Sequence, residues 1–316
     1  MTGQRVARPR LAAVLEGMSF LQDEKFELRD LPGGLTNRNY RITTASGTDY
    51  VARFAGAKTA LLGIDRDAEA HNANVAAAIG IGPAVVEYSA ADQVLVVEWI
   101  TGRTFIDADL DDPREMERVA GACRTMHAGP RFTGDFDMFD LQRRYLTIVG
   151  EYGFRLPPDY LDFEPQVRLL DKLLHASSPG TVPCHNDLLA ANIMADDTRI
   201  WFIDYEYSGN NDPCFELGNL WSEANLAEDR LQYLVGAYFG ESSSVNTARA
   251  RLYALMAQYG WTLWASIQHG VSDVDFDYWE WGMEKYIRAV AGFRSAAFQQ
   301  LIDIVRESAR HEGATP

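Results

Sequence analysis

Strand-like segments crowd the first hundred residues of this 316-residue chain, and helix-like segments fill most of the rest. A helix is predicted at residues 65–79, because a Gly-Ile-Gly-Pro turn at residues 80–83 supplies a helix stop followed by a rigid bend. Short runs rich in β-branched and aromatic residues predict strands at 26–31, 40–44, 50–54, 84–88 and 94–99. The predicted order is therefore strand, strand, strand, helix, strand, strand, which restricts the chain to folds with a small sheet preceding a larger helical part.

Helical spacing dominates beyond residue 101. Asp112 and Pro113 are suited to the cap and first turn of a helix predicted at 113–127. The exception is a predicted hairpin, formed by short apolar runs at 192–194 and 199–204 that a turn at 195–198 joins. Residues 130–160 show only weak periodicity, so no element is predicted there.

Composition excludes several classes of partner and location. With 29 basic against 45 acidic residues, the formal charge of −16 repels phosphate backbones and anionic lipids, so nucleic acid and charged membranes are not expected as general partners. No run approaches the roughly 18 apolar residues of a membrane span, and residues 11–22 carry Glu16 and lack a signal-peptide cleavage pattern. The three cysteines, Cys123, Cys184 and Cys214, are odd in number and widely spaced, which fits neither a disulfide framework nor a metal cluster and favours a cytoplasmic location.

Three oxygen-bearing side chains converge on the predicted hairpin. Asp187 lies five residues before Asn192 in the pattern H-x-D-x4-N, and Asp204 ends the second apolar run in the pattern D-x-E. Each residue alone would be an ordinary turn residue. Together they suit phosphoryl transfer from Mg-ATP to a hydroxyl, with Asp187 as the group that orients the hydroxyl and accepts its proton. Asn192 and Asp204 are then the oxygen ligands that Mg²⁺ prefers.

These motifs resemble those of the choline/ethanolamine kinases, within the aminoglycoside-phosphotransferase-like branch of the protein-kinase-like fold, and bacterial choline kinases are the most similar. The similarity extends over about the whole chain and is carried by the run GGLTNRNY at 33–40, by HNDL at 185–188 with Asn192, and by IDYEYSGNNDP at 203–213. It implies an α+β, two-lobed fold with a small antiparallel-sheet lobe (1–99), a hinge (100–103) and a mostly helical lobe (104–316). It also implies that ATP and Mg²⁺ bind between the lobes and that choline becomes phosphocholine.

On the nucleotide side, Gly33 and Gly34 lie between two predicted strands, where backbone N–H groups could approach phosphates. A glycine pair by itself more often marks a plain hairpin turn. The resemblance assigns this pair, with the following Thr36 and Asn37, to the ATP phosphates.

The resemblance also assigns Arg53, on the third strand, to the ATP phosphates, where protein kinases carry a lysine; without it, Arg53 would be a solvated strand charge. Such an arginine needs an orienting acid, and Glu69 on the following helix matches that position. Less favoured alternatives nearby are Asp67 and His71. Glu98 and Ile100 are implied as the hinge whose backbone holds adenine.

On the acceptor side, four of the seven tryptophans fall within residues 261–281. On a predicted helix at 247–269, Trp261 and Trp264 lie opposite a stripe of core residues, so they either form a second core contact or line a ligand pocket. A quaternary ammonium is held by aromatic faces and negative charge. The resemblance places around the cation Tyr207, Trp261, Trp264, Tyr278 and Trp281, with Glu223 as an acidic partner. Trp281 replaces a tyrosine common in eukaryotic members, so the choice among choline, ethanolamine and a methylated intermediate stays open.

Two rival functions remain at this point. A kinase of the same fold could act on an aminoglycoside, thiamine or another amino alcohol, and an inactive homologue could bind only choline or nucleotide. The joint presence of Asp187, Asn192 and Asp204 argues against the inactive form, because a pocket that only binds needs no base. His185, just before the loop, is expected to brace its backbone rather than to transfer protons.

Overall fold

The computed structural model describes residues 8–21, 24–56 and 59–312. Its first part is a five-stranded antiparallel sheet in the order β1-β2-β3-β5-β4, with one helix ahead of it and one between its third and fourth strands. In chain order these elements are α1 (Arg8–Glu16), β1 (Phe26–Leu31), β2 (Asn37–Thr44), β3 (Asp49–Ala55), α2 (Arg66–Ala78), β4 (Val85–Ser89) and β5 (Val94–Glu98). The predicted order of strands and helix is confirmed.

The two faces of this sheet have different neighbours, because successive side chains of a strand point to opposite faces. Ala52 and Phe54 of β3 pack with Leu11 and Leu15 of α1 in a core of their own. Arg53, between them in sequence, lies on the opposite face and lines a cavity. The alternation of β3 therefore directs the arginine away from the small core.

The remainder of the chain is mostly helical, as predicted. α3 coincides with the predicted helix at 113–127, whereas α4 lies in the stretch for which no element was predicted. The elements are β6 (Arg103–Thr104), α3 (Pro113–His127), α4 (Met138–Tyr152), α5 (Glu164–Ala176), β7 (Val182–Cys184), β8 (Ile193–Ala195), β9 (Ile200–Phe202), β10 (Gly209–Asn211), α6 (Pro213–Glu223), α7 (Glu228–Phe239), α8 (Ser244–Val271), α9 (Tyr278–Arg294) and α10 (Ala296–Glu312).

Two small antiparallel sheets frame the segment at 185–192. β8 and β9 form the predicted hairpin, with Ile193 opposite Phe202, and β6 pairs with β8. β7 pairs with β10, so the two sheets meet at the start and end of this segment. α8 passes through the centre of the helical part and is buried along most of its length. Within the described ranges, no helix has both the length and the apolar character needed to cross a bilayer.

Candidate active site

A cavity of about 510 Å³ lies between the five-stranded sheet and the helical part, a size typical of small-molecule sites. The turn between β1 and β2 contributes Gly33 and Gly34, β3 contributes Arg53, the end of β5 contributes Glu98, and the connection after β5 contributes Ile100. The helical part contributes two groups of side chains, an acidic group (Asp187, Asp204 and Glu206, with the amide of Asn192 beside them) and an aromatic group (Tyr207, Trp261, Trp264 and Trp281).

The backbone around Asp187 is fixed by buried polar contacts. The Glu216 carboxylate, in the first turn of α6, accepts the backbone N–H groups of His185 (3.2 Å) and Asn186 (2.8 Å). Asn186 adopts a left-handed conformation with φ of 66°, and its side-chain amide donates to the carbonyl of Tyr207 at 3.1 Å. The segment therefore approaches the cavity in one defined conformation.

Asp187 lines the cavity and has a strongly perturbed carboxyl group. Burial, followed by the negative charges of Asp204, Glu206 and Glu223, raises the pKa of Asp187 well above its ordinary value, while the Lys285 ammonium opposes the rise. A raised pKa makes the ionised carboxylate a stronger proton acceptor.

Asn192 and Asp204 supply an oxygen donor set next to Asp187. The Asn192 Nδ2 donates to the Asp187 carbonyl at 2.9 Å, which leaves its Oδ1 for another partner. The backbone N–H of Ile203 donates to the Asn192 carbonyl at 3.0 Å and so brings Asp204 beside it. Because no thiol or imidazole is among the described residues that line the cavity, the donors fit a hard cation such as Mg²⁺.

His185 braces this arrangement. Its Nε2 lies 2.8 Å from the carbonyl of Ile203. Burial lowers the pKa of His185 to about 4, so the ring is neutral at physiological pH and donates through Nε2. This contact agrees with the bracing role expected from the sequence.

Arg53 connects the sheet to the acidic group. Its guanidinium pairs with Glu69 at 3.2 Å and hydrogen-bonds the Asp204 carboxylate. Burial, the largest single influence, raises the pKa of Asp204, but the charge and the hydrogen bond of Arg53, together with weaker contributions that include the Arg66 charge, lower it below its ordinary value. On α2, Glu69 is thus the acid that contacts Arg53, in addition to Asp204, although Glu69 is not among the described lining residues. Asp67 instead accepts the Tyr88 hydroxyl at 2.8 Å.

The turn at 33–36, hereafter the glycine turn, lines the cavity. Gly33 and Gly34 each have φ of +91°, a conformation that a side chain would strain. The Thr36 Oγ1 and the Asn37 Nδ2 donate to the Glu206 carboxylate at 2.8 and 2.9 Å. Thr36 and Glu206 line the cavity, whereas Asn37 is not among the described lining residues. Glu206 was not singled out from the sequence, although its place in the D-x-E pattern was visible.

Four of the five predicted aromatic residues line the cavity. Tyr207 and Trp261 meet edge-to-face at 5.1 Å between ring centroids, and Trp264 and Trp281 do so at 5.4 Å. The fifth, Tyr278, is not among the described residues that line it. The Tyr278 ring packs against Trp264 at 5.7 Å and its hydroxyl donates to the Leu35 carbonyl, so it supports the aromatic group from behind.

Glu223 lines the cavity and is paired with a lysine that sequence reasoning missed. The Lys285 Nζ lies 2.6 Å from each carboxylate oxygen of Glu223 and 4.1 Å from the ring centroid of Trp281. Lys285 is 2% exposed. The signal was the spacing of Trp281 and Lys285, four residues apart on α9, which places them on one helix face.

Comparisons with known proteins show similarity to phosphotransferases in sequence and in fold. The sequence model of the family described as "APH: Phosphotransferase enzyme family" matches residues 27–255. Protein LicA of Haemophilus influenzae is 26% identical over 264 residues (77% of this chain, 75% of the relative), and ethanolamine kinase 2 of Mus musculus is 28% identical over 270 residues (75% and 68%). The crystal structure of a choline/ethanolamine kinase family protein from Mesorhizobium loti superposes with a TM-score of 0.82 at 28% identity (95% of this chain, 99% of that chain).

Proposed function

This chain belongs to the phosphotransferase enzyme family and has the protein-kinase-like fold, and from that premise we propose that it transfers the γ-phosphoryl group of ATP to the hydroxyl of choline. The products are ADP and phosphocholine. Similarity to an ethanolamine kinase and to a choline/ethanolamine kinase family protein supports an amino alcohol as the acceptor.

One observation carries the proposal: the Asp187 carboxylate and an aromatic wall line the same cavity. Choline has a hydroxyl at one end and a quaternary ammonium without N–H groups at the other. Aromatic faces attract such a cation with about 0.5–2 kcal/mol per contact. Tyr207, Trp261 and Trp264 supply those faces, and Asp187 is available to the hydroxyl.

In the proposed reaction, the Asp187 carboxylate orients the acceptor hydroxyl and takes its proton. The hydroxyl oxygen forms a bond to the γ-phosphorus as the bond to the ADP oxygen breaks, and the phosphoryl group passes through a loose transition state. Asn192 and Asp204 would hold Mg²⁺, which neutralises phosphate charge when bound. Arg53, oriented by Glu69, contributes a positive charge for the phosphates, and the glycine turn offers backbone N–H groups.

The proposed division into lobes follows the cavity. Residues 1–99 would form the nucleotide-binding lobe, 100–103 the hinge and 104–316 the catalytic and acceptor-binding lobe. In support, the connection after β5 lines the cavity and then enters the sheet of the helical part, where Arg103 pairs with Ala195. The three cysteines are free and buried, in keeping with the cytoplasmic location that we propose.

The first test asks whether Asp187 is the base. We expect Asp187→Asn to lower kcat for choline by about 100-fold or more, because general-base catalysis contributes roughly that much, while ATP still binds. A coupled ADP-release assay measures kcat, and the exposed Asp197→Asn is the matched control. If Asp187→Asn kept most of its kcat, the base assignment would be wrong.

The second test asks which compound is the acceptor. Thermal unfolding with Mg-ADP is measured in the presence of choline, ethanolamine, thiamine or kanamycin, since a ligand that binds the folded state raises its melting temperature. The proposal expects choline to raise it and to stimulate ADP release. A response to thiamine or kanamycin alone would identify another acceptor. If none of the tested alcohols stimulated ADP release, an inactive binding protein would be favoured.

A further inference from the structure

We infer that Lys285 is a specificity-determining residue that makes this site prefer a fully methylated ammonium to a primary one. The inference rests on the proposed function and deepens it, because it concerns which amino alcohol the same cavity accepts. Lys285 does this by engaging the carboxylate of Glu223, which an N–H-bearing acceptor would otherwise use.

Lys285 contacts two groups that could otherwise bind the ammonium of an acceptor, the Glu223 carboxylate and the Trp281 ring. Its Nζ reaches both oxygens of Glu223 at 2.6 Å. The same Nζ lies 4.1 Å from the ring centroid of Trp281, within the distance of a cation–π contact. The Lys285 and Glu223 side chains are 2% and 10% exposed, so the pair is shielded from solvent; Glu223 lines the cavity, and Lys285 is not among the described lining residues.

The other carboxylates of the acidic group also have partners. Arg53 hydrogen-bonds Asp204, and Glu206 accepts from Thr36 and Asn37. Asp187 is assigned to the acceptor hydroxyl. Glu98, the remaining carboxylate among the described lining residues, lies at the end of β5 on the nucleotide side, so an ammonium bound on the acceptor side meets aromatic rings rather than an available carboxylate.

This environment distinguishes the two acceptors by their hydrogen-bonding needs. Ethanolamine carries three N–H donors, and leaving buried donors without acceptors costs free energy. Choline has no such donors, and its methyl groups gain from contact with Tyr207, Trp261 and Trp264. Substituting Lys285 by an apolar residue would free the Glu223 oxygens for the N–H groups of ethanolamine.

The test compares kcat/KM for choline and ethanolamine in four proteins. The wild-type protein is expected to favour choline by about tenfold or more, and Lys285→Met to reduce that ratio by about tenfold, the effect of one hydrogen bond to a charged group. Lys285→Arg keeps a positive charge that can pair with both Glu223 oxygens and should retain the wild-type ratio within about twofold. The double variant Lys285→Met with Glu223→Met removes the freed oxygens together with their charge and should restore most of the ratio.

Each outcome bears on a different statement. If wild type favours ethanolamine, or if Lys285→Met turns over with an unchanged ratio, the inference is overturned while the proposed function stands. Turnover of neither amine by the wild-type protein would overturn the proposed function, and the inference with it. Should Lys285→Met fail to fold, Lys285→Gln, which can hydrogen-bond only one Glu223 oxygen, must shift the ratio in the same direction.

Discussion

Trp264 lines the cavity although only 6% of its surface is exposed. Trp264→Leu keeps an apolar side chain but removes the aromatic face. We expect the KM for choline to rise about 3- to 30-fold, which corresponds to the free energy of one cation–π contact. The KM for ATP should stay within about twofold, because the indole is assigned to the acceptor alone. Steady-state kinetics with each substrate varied in turn measures both constants.

Two variants make this result specific to the aromatic face. Trp264→Phe retains a π system and should raise the KM for choline less than Trp264→Leu does. Trp279, which stacks on Arg155 and is not among the described lining residues, is the matched control, and Trp279→Leu should leave both KM values near wild type. Equal increases in the two KM values for Trp264→Leu would mean that Trp264 serves the core instead.

At the residue scale, sequence reasoning reached side chains whose position follows from local pattern. The alternation of β3 directs Arg53 to the cavity face, and the spacing in H-x-D-x4-N brings Asn192 to Asp187. The role of Lys285 was not predicted from the sequence, because its partner Glu223 lies 62 residues earlier in the chain. No helical or strand period relates two such positions, so the pair is visible only once α6 and α9 have packed.

The loop at 185–192 is an element held by its neighbour α6, through Glu216. Burial raises the pKa of Glu216 from 4.5 to about 7, although the N–H groups of Asn186 and His185 oppose the rise. The unfolded chain releases this proton near pH 4.5, whereas the folded chain keeps it to about pH 7. The stabilisation from this group is therefore complete below pH 4.5 and lost as the pH rises to 7, on the order of 3 kcal/mol.

Glu216→Gln removes this titration, so the variant should gain stability relative to wild type as the pH rises. We expect the difference in free energy of unfolding, variant minus wild type, to increase by about 2 to 3 kcal/mol between pH 5 and pH 8. Chemical denaturation at both pH values measures it. The exposed Glu241→Gln is the control and should show a flat difference. A flat difference for Glu216→Gln would show that the folded and unfolded states bind its proton equally.

At the element scale, local signals predicted α2, α3 and the β8–β9 hairpin, because each has a readable start or turn. Asp65 caps α2 by accepting the N–H groups of Asp67 and Ala68. α4 carries comparable signals, with Asp137 as its cap and Gly153 left-handed at its end. These signals were not recognised because a loop with scattered glycine and proline precedes the helix. The hydrophobic periodicity was judged over residues 130–160 as a whole, which combines that loop with the helix.

At the scale of the whole molecule, the cavity depends on contacts between parts that are distant in sequence. The Leu35 carbonyl accepts from Gln268 Nε2 of α8 and from the Tyr278 hydroxyl of α9, each at 3.0 Å. On its other side, the glycine turn is tied to Glu206 through Thr36. Sequence reasoning predicted that a sheet and a helical part would enclose a nucleotide. It could not predict these ties, which join residues more than 160 positions apart.

The two hydrogen bonds to the Leu35 carbonyl hold the glycine turn against the helical part. Their removal should therefore weaken nucleotide binding more than it lowers the stability of the fold. The double variant Gln268→Leu with Tyr278→Phe keeps the packing but loses both hydrogen bonds. At about 0.5–1 kcal/mol each, we expect the KM for ATP to rise about 5- to 30-fold and amide exchange at residues 33–36 to quicken. Tyr286→Phe, which loses a hydrogen bond to Asp159 instead, should change neither. An unchanged KM for ATP together with unchanged exchange would mean that the turn keeps its position without α8 and α9.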